Sequence, residues 1–125
     1  MARPKLEESP GRLSRSEWEI MTICWRLRRA NVREILREDL KTRTRDYRTI
    51  LTFASRIAKK GWLAVELEGN TNYYSPAIPH EEGLKIEIDR FLSETIGSDP
   101  ENLELLQLAL DARIRKARPR RSKNS

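Results

Sequence analysis

Residues 46–61 read DYRTILTFASRIAKKG and carry the start, stop and stripe signals of one helix. Asp46 is a residue type whose carboxylate accepts the unpaired N–H groups of a first helical turn. Gly61, after the basic pair Lys59-Lys60, supplies the left-handed residue that ends a helix, with cations next to its carbonyl end. Between these signals Ile50, Phe53 or Ala54, and Ile57 recur at helical spacing and predict an inward stripe, with Leu51 at its margin. The other side carries Arg48, Thr49, Thr52, Ser55, Arg56 and Lys59, with no acid after Asp46. Residues spaced i, i+3, i+4 share a side. A helix of this kind fits the major groove of duplex DNA, where base edges present a distinguishable donor and acceptor pattern. Arg48 and Arg56 can fork onto guanine or phosphate, and Thr49 and Thr52 can bond bases or pack their methyls on thymine. Taken alone, the same face is also an ordinary solvated surface, so its neighbours decide the reading.

Upstream, Ser14 and Glu17 form an S-x-x-E capping box, with Leu13 placed as a hydrophobic staple. Trp18, Ile20, Met21, Cys24, Trp25 and Leu27 then make a broad apolar helical stripe, in which Cys24 reads as an inert core thiol. After a break at Arg28–Ala30, Asn31 with Glu34 caps a second helix over about 32–40, with Val32, Ile35, Leu36 and Leu40 on its apolar side. Residues 41–45 follow as a turn. Downstream of Gly61, residues 62–67 alternate loosely as a strand, 68–72 have turn chemistry, and 73–75 return as its partner. Three helices and then a hairpin is the order of a winged helix-turn-helix, with Asn70, Thr71 and Asn72 at the wing.

The predicted fold class is therefore mainly α with a small β-hairpin wing: a winged helix-turn-helix over residues 13–77, followed by a C-terminal helical dimerisation region over 78–114. In that second region Leu84, Ile88, Phe91, Leu92 and Ile96 follow one helical face until Gly97. Asp99-Pro100 opens another helix, with Leu103, Leu106, Leu110 and Ile114 on one stripe and Leu105, Leu108 and Ala109 on another. Two short helices cannot cover leucines on several faces, so a second copy of the chain is the expected partner, held by Leu84, Ile88, Phe91, Leu92, Leu103, Leu106 and Leu110. Residues 1–12 are expected to be a disordered lead and 115–125 a basic flexible tail.

Charge supports a polyanionic partner. Residues 1–62 hold 16 Lys/Arg against 8 Asp/Glu, residues 63–112 hold 2 against 11, and residues 113–125 hold 7 against none, within a formal net charge of +6. Arg26, Arg28, Arg29, Arg43 and Arg45 flank the loops beside the third helix and would suit phosphates, which position a protein without reading sequence. Other classes find little support. No stretch has the roughly 18 consecutive apolar residues of a membrane span, and the opening MARPKLEESPGR lacks the apolar region of a signal peptide. One Cys and one His cannot build a zinc site, so neither metal nor cofactor is expected, and a reducing cytoplasm is the simplest location. His80 stands alone after Pro79 and reads as a helix-start residue. The five scattered glycines form no phosphate-binding loop. Glu81-Glu82 complements a helix dipole. No catalytic constellation emerges. The alternative left open is a winged-helix module that binds an acidic protein, or DNA without sequence preference.

Three segments carry a resemblance. LSRSEWEIMTICW at 13–25 looks like the opening helix of the BlaI/MecI family of penicillinase and methicillin-resistance repressors. RTILTFASRIAKKGWL at 48–63 is similar to that family's recognition helix and the start of its wing, and EGNTNYYSP at 68–76 resembles its wing and return strand. The resemblance implies a dimeric repressor of palindromic DNA operators, and it places Arg48, Thr49, Thr52 and Arg56 on the DNA-facing part of the third helix. In many members a membrane sensor with a metallopeptidase domain triggers cleavage of the repressor, so such a sensor is an implied partner. Three departures stand out. Leu51 occupies a position often basic in relatives, the wing at Asn70-Thr71-Asn72 lacks the common arginine, and Gly97–Asn102 does not reproduce the Asn-Phe cleavage site. The cysteine count excludes the copper-responsive branch.

Overall fold

The computed structural model describes residues 10–118. Helices α1 (Arg15–Leu27), α2 (Val32–Asp39) and α3 (Tyr47–Lys59) precede strands β1 (Leu63–Glu68) and β2 (Thr71–Pro76). They are followed by α4 (His80–Phe91), a π-helical turn over Leu92–Ile96, and α5 (Pro100–Ala117). Two compact units result, one ending at Glu82 and one beginning at Gly83.

Local chemistry sets the helix starts. Both capping boxes are complete: Ser14 with Glu17 on α1, and Asn31 with Glu34 on α2. Asp46 accepts the N–H of Thr49 at 2.9 Å. Gly61, at φ +95°, closes α3, its N–H donating to the Ala58 carbonyl while the Trp62 N–H reaches the Ile57 carbonyl. The hairpin is tighter than the expected five-residue turn. Glu68 pairs with Thr71, so only Gly69 and Asn70 lie outside the ladder, and Thr71 and Asn72 are strand residues. Gly69 takes φ +67° and Asn70 a negative φ, the pattern of a type II′ turn that matches strand twist. A second pairing has no counterpart in the sequence reading: Ala30 and Tyr74 exchange both backbone hydrogen bonds, at 2.9 and 2.7 Å. The break after α1 is thus an anchor for the wing. To reach it the chain turns at Arg28, which adopts φ +71° while its N–H caps the Cys24 carbonyl.

The core of the first unit gathers Ile20, Met21 and Cys24 of α1, Ile35 of α2, and Ile50, Ala54 and Ile57 of α3. Ile23, outside the predicted stripe, is buried too, whereas Leu40 is 52% exposed and leaves the expected α2 stripe. Burial pushes the Cys24 thiol up to about 12, so it stays protonated and unreactive. Trp62 is fully buried, edge-on to Trp18 and Trp25 at centroid distances of 5.8 and 6.2 Å. Its indole N–H donates to the Gly11 carbonyl at 2.7 Å, and the Gly11 N–H donates to the Lys60 carbonyl. A Cβ on Gly11 would stand 2.9 Å from Lys60 Cγ, so this close approach requires glycine. The expected disordered lead is therefore docked at its end; residues 1–9 lie outside the described residues. The unit also reaches past the expected boundary at 77, because Ile78 is buried, its carbonyl accepts from Trp25 Nε1 at 2.8 Å, and the His80 ring lies 4.5 Å from that indole.

Ion pairs grip α3 at both ends. Ahead of its N-cap, Arg45 donates to Asp39 Oδ1 at 2.7 Å and to Glu19. Asp39 is fully buried and the Arg45 side chain is 16% exposed. Beyond its last turn, Lys60 Nζ reaches Glu17 Oε1 at 2.6 Å and the Arg12 carbonyl at 2.8 Å. Burial works against the charge on Glu17. The Lys60 ammonium and the Ser14 N–H and hydroxyl outweigh it and hold the carboxyl below its ordinary 4.5. Hydrogen bonding from Arg45 lowers Glu19 in the same direction.

The second unit is built differently. Among residues 83–118 only Gly83 is buried. Gly97, at φ +75°, ends the π turn, and Asp99 caps α5, which runs through Ala117, past the expected start of the tail at 115. Residues 119–125, the rest of that tail, lie outside the described residues.

Two outcomes follow for stability. Arg45→Met should cost about 3 kcal/mol in urea unfolding, because it strands a buried carboxylate, whereas Arg56→Ala on the exposed face should change little. A folded pKa below 4.5 means that the stabilisation from Glu17 is fully present above that pH and is lost as pH falls through it. Unfolding measured between pH 7 and 3 should accordingly show an acid limb below about pH 4.5, shallower in Glu17→Gln.

Candidate nucleic-acid interface

Helix α3 turns Ile50, Ala54 and Ile57 fully inward, with Phe53 half-buried, which resolves the Phe53/Ala54 alternative mainly for Ala54. Arg48, Thr52, Ser55, Arg56 and Lys59 are exposed together on the outer side, and Thr49 is half-buried at its margin. Leu51, expected at the edge of the inward stripe, is 37% exposed and belongs to this outer surface. The face owes its charge to where the acids of the first unit are engaged. Glu17 is held by Lys60, Glu19 by Arg43 and Arg45, Asp39 by Arg45, Glu38 by Lys41, and Glu34 by its own capping box. Asp46 faces the first turn of α3, where the Thr49 N–H, then its side chain, hold the carboxyl low. Among the described residues no carboxylate lies within ion-pair distance of Arg48, Arg56 or Lys59, although the Arg48 charge helps to hold the Asp46 carboxyl low, so these cations and several hydroxyls are exposed together on one helix.

Beside that face lies a cleft of about 410 Å³. Its walls include Asn31 and Arg33 at the start of α2, Tyr47 and Leu51 on α3, and Asn70 and Asn72 on the wing. The wing residues Asn70, Thr71 and Asn72 are all exposed and neutral. They offer amide and hydroxyl groups to a neighbouring strand, without the point charge of an arginine.

The loop arginines are used differently from the expectation of free phosphate contacts. Arg45 is a correction: it is largely buried between Glu19 and Asp39 and positions α3. Arg43 is 36% exposed and shares the same carboxylates, with Nε 3.0 Å from Glu19, so only part of its fork faces solvent. Arg29 is a second correction. It pairs with Glu68 at 2.5 Å and stacks over the Tyr73 ring at 4.1 Å, fastening the wing to the turn after α1. Arg26 and Arg28 line a separate depression with Thr22, Trp25, Pro76 and His80. The Arg45–Glu19 and Arg29–Glu68 pairings leave no local trace, because those partners lie 26 and 39 residues apart along the chain, whereas Asp39 stands only six residues before Arg45.

No group of His, Cys, Asp and Glu among the described residues could hold a metal ion. No described helix is long and apolar enough to cross a membrane.

Comparison with known proteins gives the arrangement a context. The penicillinase repressor family model matches residues 13–114. The chain is 31% identical over 90 residues to the penicillinase repressor of Bacillus licheniformis, covering 69% of this chain and 70% of that one. To the penicillinase repressor of Staphylococcus aureus it is 30% identical over 94 residues, 74% of each chain. An uncharacterized 16.5 kDa protein in the ptsI 3′ region of Latilactobacillus sakei is 35% identical over 82 residues; the match spans little more than half of that relative, 55%, and 64% of this chain. Among solved structures, the DNA-binding domain of the repressor BlaI superposes with a TM-score of 0.53 at 32% identity, over 60% of this chain and 92% of that one. Monomeric B. licheniformis BlaI in complex with the blaP half-operator gives 0.51 at 32% identity, over 59% and 90%. By sequence over most of its length and by the trihelical unit with its hairpin, the chain belongs to the penicillinase repressor (BlaI/MecI) family, non-enzymatic transcriptional regulators with a winged-helix DNA-binding domain.

Proposed function

We propose that the chain is a cytoplasmic repressor that binds a palindromic DNA operator as a homodimer, each α3 entering one major groove. The observation that carries this reading is the exposed outer side of α3, on which Arg48, Arg56 and Lys59 lie beyond ion-pair distance of any carboxylate among the described residues. In the first unit Arg48, Thr49, Thr52, Ser55 and Arg56 are the base- and backbone-reading groups, Lys59 and the exposed part of Arg43 add phosphate contacts, and Asn70, Thr71 and Asn72 touch the flanking backbone. The half-operator complex of the B. licheniformis relative supports such an engagement.

The second unit supplies the partner surface. Leu103, Leu105, Leu108, Leu110 and Ile114 are 41 to 66% exposed on α5, and Leu84, Ile88 and Phe91 are 40 to 53% exposed on α4. That much apolar area on two helices calls for a covering surface, and a second copy offers a self-complementary one. Leu92 and Leu106 are half-buried within the unit and complete the set. Operator occupancy would block RNA polymerase, and a membrane sensor metallopeptidase would relieve it by cleavage in the second unit. Because Gly97–Asn102 lacks an Asn-Phe pair, such a sensor would have to accept a different bond.

Two measurements test the reading. A duplex selected from a random library should be shifted far more strongly than random duplex at moderate salt, with log K falling by about 0.9 per neutralised phosphate per decade of salt. Arg48→Ala with Thr52→Ala should cut that preference at least about tenfold; equal retention of all duplexes would favour a nonspecific module, and no retention a protein-binding one. Separately, Leu106→Asp with Leu110→Asp should sediment as a monomer and bind the selected site about 100-fold more weakly, since two linked heads gain at least that factor from local concentration. A dimer that survives both changes overturns the assigned interface.

A further inference from the structure

The geometry points to Leu51 as a specificity-determining residue that packs on the 5-methyl group of a thymine in each half-site. This rests on the reading of α3 as the DNA-facing helix and adds one base contact to it. Leu51 follows Ile50, which points into the core, and lies between Arg48 and Ser55 at i+3 and i+4 spacing, so it stands at the margin of the basic face. It is 37% exposed, although α3 has a fully buried stripe available for apolar side chains. The side chain is turned toward the cleft between α3 and the wing, beside Tyr47, itself 44% exposed, and next to Asn70 and Thr71. A small apolar patch thus sits inside a surface otherwise made of cations, hydroxyls and amides.

Among the groups that base pairs present in the major groove, the thymine methyl is the apolar one. It projects at the edge of the groove, close to its own strand's backbone, which is where a residue on the margin of an inserted helix reaches. A leucine there cannot accept or donate a hydrogen bond, so it contributes nothing toward guanine, cytosine or adenine edges beyond contact. It discriminates by burying one methyl, and burial of one such group commands about a fourfold change in affinity. With two heads on a palindrome, the effect enters once per half-site.

The test uses the full chain and a duplex selected from a random-sequence library. Each thymine of the selected site is replaced in turn by deoxyuridine, which removes the methyl and leaves the hydrogen-bonding edge intact, and affinity is read by fluorescence anisotropy. One symmetry-related pair of thymines should show a loss of about fourfold per half-site, and that loss should vanish in Leu51→Ala, whose fold is checked by its thermal transition. A loss that persists in Leu51→Ala, deoxyuridine tolerated everywhere, or a selected site without thymine within reach would overturn the assignment while leaving the repressor reading intact. If selected and random duplexes bind alike, that reading itself falls and the assignment falls with it. Leu51→Gln gives a second check: an amide prefers adenine, so renewed selection should replace the thymine pair.

Discussion

Two carboxylates on one turn of α1, Glu17 and Glu19, hold the two ends of α3. Glu19 takes Arg45, which precedes the helix, and Glu17 takes Lys60, which follows it. Asp39, fully buried at the end of α2, strengthens the first grip. Ion pairs of this kind are poor sources of net stability, since removing charges from water opposes their attraction. Their value lies in geometry. Each fixes one end of a helix whose outer side is exposed, and a surface that is to read bases must hold its side chains within about half an ångström of the productive arrangement.

The same pairing shapes the electrostatics. A basic half with eight acids could have presented a neutralised mosaic. Instead the acids described in it are drawn to the sides and base of α3 or into capping boxes, and the cations they neutralise, Arg43, Arg45, Lys41 and Lys60, border the helix. Arg48, Arg56 and Lys59 are the cations left exposed on the outer side of α3. In the wing the same logic runs in reverse: Glu66 and Glu68 would repel a phosphate backbone, and Arg29 gathers both, at 3.7 and 2.5 Å. The arginine that looked free in sequence thereby masks the hairpin's own negative charge.

What could be seen in the sequence divides by range. Capping boxes, the Asp46 cap, the Gly61 terminator and the inward stripe of α3 depend on residues within four positions of one another, and they stand as expected. The outer face of α3 followed, because its composition needs no partner to be recognised. Arg45 and Arg29 were misplaced because an arginine in a loop carries no mark of which distant carboxylate will bind it. The Ala30–Tyr74 bridge involves single residues and leaves no periodic trace. The wing tip was read too wide because Gly69-Asn70-Thr71-Asn72 has turn chemistry throughout, while the ladder hydrogen bonds claim Thr71 and Asn72. Leu40 and Leu51 show the remaining weakness: at the margin of a stripe, hydrophobicity alone does not say inward.

A single head of this design has limited discriminating power. In the proposed reading the cations on α3 attract any duplex, and its threonines and serine read bases with bonds that water can also satisfy. Selectivity in the proposed reading must then come from repetition, since two identical heads square the small preference of one. That requirement gives a physical reason for a second unit whose residues 83–118 bury only a glycine. A C-terminal region able to cover its own leucines would be stable alone and would have no need of a copy. In that reading, one that leaves them on several faces would make folding of the region and pairing of the heads the same event, and a chain with one modest core would become a selective binder only at concentrations where it is a dimer.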